Sequence, residues 1–102
     1  MAWFKVAHIA DIPPGTGKMV IADDQLIALF NIDGTFYAID DACPHQGAPL
    51  SEGPLVGYVA ICPWHGAEFD VTNGKLLSGP GVRDVDSYPV AIKGEDVEIQ
   101  LI

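Results

Sequence analysis

The sequence predicts an all-β fold, an antiparallel β-sandwich or barrel that forms one domain over residues 1–102. Short apolar runs alternate with turns, and many of the 11 glycines and 8 prolines lie between those runs. Asp33-Gly34 is a strong two-residue hairpin signal, and Asn73-Gly74 is a second one. No segment shows a long 3.6-residue hydrophobic period, so the pattern argues against an α-helical core.

Each predicted element rests on local composition. Aromatic and β-branched side chains such as Phe30, Phe36 and Ile39 favour strand over helix in the central hairpin. Residues 48–54 hold a helical turn at most, and residues 78–82 are too rich in glycine and proline for a strand. The predicted strands, in chain order, cover residues 3–9, 18–22, 25–32, 35–40, 58–62, 68–71, 75–77, 87–93 and 96–102.

The charge of the chain restricts its partners. The formal net charge is −9, from 14 acidic and 5 basic side chains. Such a surface repels phosphate backbones, so we expect no nucleic-acid partner and favour a basic patch on another protein. No apolar stretch approaches the roughly 20 residues that cross a membrane, and no signal peptide is evident. We therefore expect a cytoplasmic protein with no membrane partner, in which two cysteines serve as ligands rather than as a disulfide.

Two short runs carry both cysteines and two of the three histidines: Cys43-Pro44-His45-Gln46-Gly47 and Cys62-Pro63-Trp64-His65-Gly66. One interpretation is chance placement. Structural zinc is a second, although zinc sites usually group like ligands together, whereas each run here mixes cysteine with histidine. A [2Fe–2S] cluster is the third, since two cysteines on one iron and two histidines on the other require one of each from both loops.

The segment over residues 43–70 resembles the cluster-binding core of Rieske proteins, and Gly79-Pro80-Gly81 is similar to the proline loop of that family. The closest resemblance is to the small Rieske ferredoxins that serve bacterial aromatic-ring-hydroxylating dioxygenases. It implies the Rieske fold, with a small cluster-binding subdomain inserted as two loops at one tip. We expect that subdomain over about residues 41–80, and a basal scaffold formed by residues 1–40 and 81–102.

The resemblance also implies one [2Fe–2S] cluster and assigns roles around it. Its ligands would be Cys43, His45, Cys62 and His65. Gly47 and Gly66 would let backbone N–H groups approach the sulfides, although either could simply be a turn glycine, and the proline loop would cover a third side of the cluster. Trp64 is a candidate for a docking rim or an apolar plug between the loops, and both remain open. The supporting residues are Gln46, Gly47, Trp64, Gly66 and Pro80.

Substitutions in the loops predict the reduction potential. High-potential Rieske proteins brace their loops with a disulfide and donate Ser and Tyr hydroxyls to sulfur. Here Ala48 and Trp64 stand where those cysteines would be, Ala67 replaces the serine and Phe69 replaces the tyrosine. Fewer hydrogen bonds then stabilise the reduced state. We expect a potential toward the low end of the Rieske range, roughly −150 mV.

These features predict an electron carrier rather than an enzyme. A four-ligand two-iron site has no open coordination position for a substrate. Only His8 is left over, which is too few histidines for the mononuclear iron of a hydroxylase. The resemblance implies a monomer that passes electrons from an NAD(P)H-dependent flavin-containing ferredoxin reductase to a terminal Rieske non-haem iron oxygenase. The alternative is the Rieske small subunit of an assimilatory NADH-nitrite reductase.

Overall fold

The computed structural model describes residues 2–44, 47–64, 66–79 and 83–101. These residues form eleven strands and two short 3₁₀ helices, Ile9–Asp11 and Leu50–Glu52. The strands are β1 (Trp3–His8), β2 (Thr16–Ala22), β3 (Gln25–Ile32), β4 (Thr35–Asp40), β5 (Leu55–Val56), β6 (Val59–Ile61), β7 (Glu68–Asp70), β8 (Lys75–Ser78), β9 (Ser87–Tyr88), β10 (Val90–Lys93) and β11 (Asp96–Gln100).

Three antiparallel sheets make up the fold, which confirms the predicted all-β class. The first sheet has the order β1-β11-β10, the second β2-β3-β4-β9 and the third β5-β6-β7-β8. Neighbouring strands are mostly joined by tight turns, as the glycine-rich sequence predicts. No helix in the described part of the chain is long and apolar enough to span a membrane.

The central hairpin has the predicted bounds and register. Strands β3 and β4 pair from Ile27 with Asp40 to Ile32 with Thr35. Both turn residues have positive φ, 53° at Asp33 and 91° at Gly34. This backbone twist matches the right-handed twist of the two strands, which is why Asp-Gly is favoured there.

The last predicted hairpin is partly wrong. Residues 87–93 are not one strand, because the chain leaves one sheet and enters another at Pro89. β9 pairs with β4 in the second sheet, whereas β10 pairs with β11 in the first. Proline has no N–H to donate to a sheet, so it suits a crossing point of this kind. The prediction also missed β5, whose two residues are too few to show an alternating pattern.

Residues 27–32 of β3 are buried on both faces of the second sheet, and β3 and β4 each contribute to two apolar cores. One face packs with the first sheet, which we call the basal core, and its buried members on β3 are Ile27 and Leu29. The opposite face packs with the third sheet, and we call this the cysteine core. Its buried members are Ala28, Phe30, Ile32, Ile39, Cys43, Ala48, Leu50, Ala60, Cys62, Ala67, Phe69, Val71 and Val85.

Candidate metal centre

The first cysteine loop begins three residues after β4 and closes as a small hairpin. Ala42 and Pro49 form an antiparallel bridge at its base. The N–H of Cys43 donates to the Ala48 carbonyl at 2.9 Å, and the N–H of Gly47 donates to the Cys43 carbonyl at 2.7 Å. Cys43 is only 1% exposed, so this loop places its sulfur-bearing side chain inside the protein.

The second cysteine loop repeats this arrangement between β6 and β7. The N–H of Cys62 donates to the Ala67 carbonyl at 2.8 Å, and the N–H of Gly66 donates to the Cys62 carbonyl at 3.1 Å. Gly47 and Gly66 have the same φ of 76°, a left-handed conformation that favours glycine. Both glycine N–H groups therefore serve the turn itself. The two loops share these two hydrogen bonds and this glycine conformation although their sequences differ between cysteine and glycine.

Several predicted site residues lie outside the described residues: His45, Gln46, His65 and Pro80. In the sequence, each loop encloses three residues between its cysteine and its glycine. His45 is the second of these in the first loop, and His65 is the third in the second loop. Trp64, in the second loop, is 58% exposed. An exposed indole favours the docking-rim interpretation of Trp64 over an apolar plug between the loops.

Asp41, a buried residue whose role the sequence does not reveal, connects the first loop to the 3₁₀ helix Leu50–Glu52. Its carbonyl accepts the N–H of Leu50 at 2.7 Å, and its Oδ1 accepts the N–H of Ser51 at 2.9 Å. Both donors belong to this helix, whose first N–H groups need acceptors. The buried carboxylate thereby sets the direction in which the chain leaves the first loop.

Gly53, which follows the 3₁₀ helix, brings the backbone into close contact with the start of the second loop. A Cβ atom on Gly53 would lie 1.9 Å from the Ile61 carbonyl oxygen and 3.1 Å from Cδ of Pro63. The next residue, Pro54, accepts the Ile61 N–H at 2.9 Å. Only glycine allows this approach, so the backbone after the first loop lies directly against the strand that enters the second.

The segment from Arg83 to Tyr88 fastens the third and second sheets together. The Oδ1 atom of Asp84 accepts the Leu76 N–H of β8 at 2.8 Å, and the Val85 N–H donates to the Gly74 carbonyl at 2.9 Å. Before this segment, a Cβ on Gly79 would lie 2.6 Å from Cα of Ala67. The chain around the predicted proline loop is thus anchored on the second cysteine loop at one end and on β8 at the other.

A carboxylate on β4 completes this fastening. Oδ1 of Asp40 accepts the Tyr88 hydroxyl at 2.5 Å, and Oδ2 accepts the Asp86 N–H at 3.1 Å. The Asp40 N–H also donates to the Asp86 carbonyl at 3.0 Å. Burial and the adjacent Asp40 carboxylate raise the pKa of Tyr88 well above its ordinary value, because both disfavour a phenolate.

The donor set of this centre fits an iron–sulfur cluster. Cys43 and Cys62 share one core with Ala48, Ala67 and Phe69, whose side chains are fully buried and carry no polar group. A thiolate in such surroundings is costly unless it binds a metal ion. Thiolates are also the ligands that iron–sulfur clusters use. Two buried cysteines on matched loops therefore suit a cluster that takes two of its ligands as sulfur.

Comparison with known proteins agrees with this chemistry. Residues 2–89 match the family described as Rieske [2Fe–2S] domain. The biphenyl dioxygenase ferredoxin subunit of Pseudomonas sp. (strain KKS102) is 40% identical over 98 residues, 95% of this chain and 90% of that protein. The 3-phenylpropionate/cinnamic acid dioxygenase ferredoxin subunit of Escherichia coli (strain K12) is 42% identical over 94 residues, 91% of this chain and 88% of that protein.

Solved structures show the same fold. The complex of reduced oxygenase and oxidised ferredoxin in carbazole 1,9a-dioxygenase contains a chain with TM-score 0.88 and 36% identity, covering 95% of this chain and 91% of that one. A protein described as the small subunit of an NADPH nitrite reductase has TM-score 0.84 at 21% identity, covering 99% and 100%. The second likeness shows the fold alone.

Gly53→Ala tests the contact between the two loops. We expect the added methyl group to displace the Ile61 carbonyl and lower the amount of bound cluster, measured as iron and visible absorbance per protein. Gly57→Ala is the control, because Gly57 has a φ of 59° but nothing within 4 Å of an added Cβ. Equal cluster content in the two variants would show that the close approach of Gly53 is unimportant.

Tyr88→Phe tests the fastening at Asp40. Because folding raises the pKa of Tyr88, its contribution to stability is fully present below the unfolded value of about 10 and is lost as the pH rises above it. We expect the free energy of unfolding of the wild type to fall more steeply than that of Tyr88→Phe between pH 9 and pH 11, measured by urea denaturation. Parallel pH profiles would contradict this.

Proposed function

Because this chain belongs to the Rieske [2Fe–2S] domain family, we propose that it is the ferredoxin component of a ring-hydroxylating dioxygenase system. It carries one [2Fe–2S] cluster and acts as an electron-transfer protein rather than as the catalytic oxygenase. The observation that carries this function is the pair of buried cysteines on two loops of matched geometry. Ferredoxin subunits of dioxygenase systems, 40% and 42% identical over nearly the whole chain, support the same role.

The proposed ligands are Cys43 and Cys62 for one iron, with His45 and His65 for the other. When bound, the cluster accepts and releases one electron. The cysteine core excludes water from the sulfur side, because Ala48 and Ala67 are fully buried beside the two cysteines. In the sequence, both histidines are among the enclosed residues of the loops, and His65 directly follows the exposed Trp64, so we propose that electrons enter and leave on that side.

We propose that residues 41–80 form the cluster-binding subdomain and that residues 1–40 and 81–102 form the basal scaffold. The bridge between Ala42 and Pro49 and the sheet β5-β6-β7-β8 both fall within residues 41–80. The cysteine core nevertheless includes Phe30, Ile39 and Val85 from outside that range. The subdomain therefore depends on the scaffold for part of the apolar surface that it covers.

We propose two partners that use the carrier in turn: a flavin-dependent ferredoxin reductase that oxidises NAD(P)H, and a terminal Rieske non-haem iron oxygenase. A complex of oxygenase and ferredoxin exists for the carbazole dioxygenase neighbour, which supports the second partner. The net charge of −9 favours transient, electrostatically steered encounters with basic surfaces. A cytoplasmic monomer suits this role, since NAD(P)H and reduced cysteines belong to that compartment.

The potential of the bound cluster is the first quantitative test. The fully buried Ala67 and Phe69 carry no hydroxyl that could donate to sulfur. The reduced cluster is therefore stabilised less than in high-potential Rieske proteins, which have serine and tyrosine at these positions. We expect roughly −150 mV in a redox titration of the purified protein. A potential above roughly +100 mV would contradict the low-potential assignment.

A reconstituted assay tests the function. The wild-type protein should transfer electrons from an NADH-oxidising flavin reductase to the oxygenase component of a biphenyl, 3-phenylpropionate or carbazole dioxygenase, measured as substrate hydroxylation.

His45→Ala and His65→Ala should lose both hydroxylation and the Rieske electron paramagnetic resonance signal, whereas His8→Ala should keep both. A retained Rieske signal in either ligand variant would refute the ligand assignment. Stable co-purification with a sirohaem nitrite reductase, without support of hydroxylation, would favour the alternative function.

A further inference from the structure

A depression of about 310 Å³ lies beside the first cysteine loop, and the metal centre does not account for it. It is lined by Gln25, Leu26, Asp40, Ala42 and Arg83. Ala42 directly precedes Cys43, and the carbonyl of Leu26 accepts the N–H of Asp41 at 3.1 Å. The depression is therefore part of the same end of the molecule as the proposed cluster.

Arg83 brings a positive charge to this depression. Among the described residues Arg83 forms no ion pair, although the chain has 14 acidic and only 5 basic side chains. Its guanidinium donates to the Asp84 carbonyl oxygen at 3.0 Å. Asp84 is next in the chain and Asp40 lines the same depression, and both carboxylates already accept uncharged donors: Asp84 accepts the Leu76 N–H, and Asp40 accepts the Tyr88 hydroxyl. The charge of Arg83 is thus available to a group outside the chain.

Exposed apolar side chains continue the surface from this depression. Ile21 and Leu26 are direct cross-strand partners, so their side chains share one face of the second sheet. They are 59% and 49% exposed, and Met19 on the same strand is 40% exposed. Asp23 and Asp24 form the exposed turn between β2 and β3 at the border of this area. An apolar centre with arginine and a charged border is the composition of a protein interface.

We propose that Ile21, Leu26 and Arg83 form a docking surface for the terminal oxygenase, in addition to the loop tip. This inference rests on the proposed function. The oxygenase is the chosen occupant because a related ferredoxin has been observed in complex with an oxygenase. Charge complementarity defines the surface that fits: a carboxylate opposite Arg83, apolar side chains opposite Ile21 and Leu26, and basic side chains opposite Asp23 and Asp24.

Arg83→Gln and Lys93→Gln provide a charge-matched test, since each removes one positive charge from a net charge of −9. Lys93 is exposed at the end of β10. Its neighbours Ile92 and Glu95 line a different depression with Gly34, which precedes β4, whereas Asp40 is the last residue of β4. Lys93 is therefore remote from the proposed docking surface. If net charge alone determined binding, both variants would bind a basic partner as tightly as the wild type or more tightly, because each is more acidic than the wild type. A direct contact predicts that Arg83→Gln alone lowers kcat/KM for the ferredoxin, by about tenfold.

The assay varies the ferredoxin concentration against whichever of the biphenyl, 3-phenylpropionate or carbazole dioxygenase oxygenases the wild type serves. Ile21→Thr should lower kcat/KM severalfold, whereas Ile92→Thr, a similarly exposed isoleucine on β10, should not. The rate at which NADH and the reductase reduce each variant, monitored by visible absorbance, should equal that of the wild type.

Equal kcat/KM values for Arg83→Gln and Lys93→Gln would overturn the docking surface while leaving the proposed function intact. An equal loss in the reductase step would also overturn it, because the surface would then not be specific to the oxygenase. Failure of the wild type to serve any oxygenase would refute the proposed function and the docking surface together.

Discussion

The structure depends on strand β3, whose residues 27–32 are buried on both faces of the second sheet. Ile27 and Leu29 of β3 pack into the basal core, whereas Ala28 and Phe30 pack into the cysteine core. Successive residues of a strand point to opposite faces, so one strand serves both cores without any special geometry. Full burial of each large apolar side chain stabilises the folded state by about 1.5–3 kcal/mol relative to leaving it exposed. The scaffold and the cysteine loops are therefore not separable layers.

Matched hydrogen bonds and glycine conformations suit two different loops to the proposed binding of one cofactor. In each loop the cysteine N–H bonds to the residue five positions later and its carbonyl to the residue four positions later, a glycine with a φ of 76°. The sulfur sides become equivalent and buried, while the enclosed residues remain free to differ. Two buried cysteines beside an exposed Trp64 suit a protein that gives up electrons at its surface and keeps water away from sulfur.

The acidic residues near the site have structural uses beyond their contribution to net charge. Asp40, Asp41 and Asp84 each accept a backbone N–H across a break in regular structure, where the chain would otherwise leave a donor without a partner. These bonds hold the first loop, the 3₁₀ helix after it and the returning segment after β8. The same carboxylates are then satisfied internally, which agrees with the recognition role that we propose for Arg83.

The sequence by itself determined the cofactor, the all-β class and the central hairpin, because the spacing of cysteine and histidine, the alternation of short apolar runs with turns, and Asp-Gly turn chemistry are local properties. It left open whether Gly47 and Gly66 serve the sulfides or the turns, and the structure shows their N–H groups donating within the turns. Only the tertiary structure decided that residues 87–93 cross between sheets at Pro89, that Gly53 lies against Ile61, and that Asp40 and Asp41 bind distant backbone groups. These contacts join residues 8 to 46 positions apart, and no local pattern encodes which distant group a buried carboxylate or a glycine will meet.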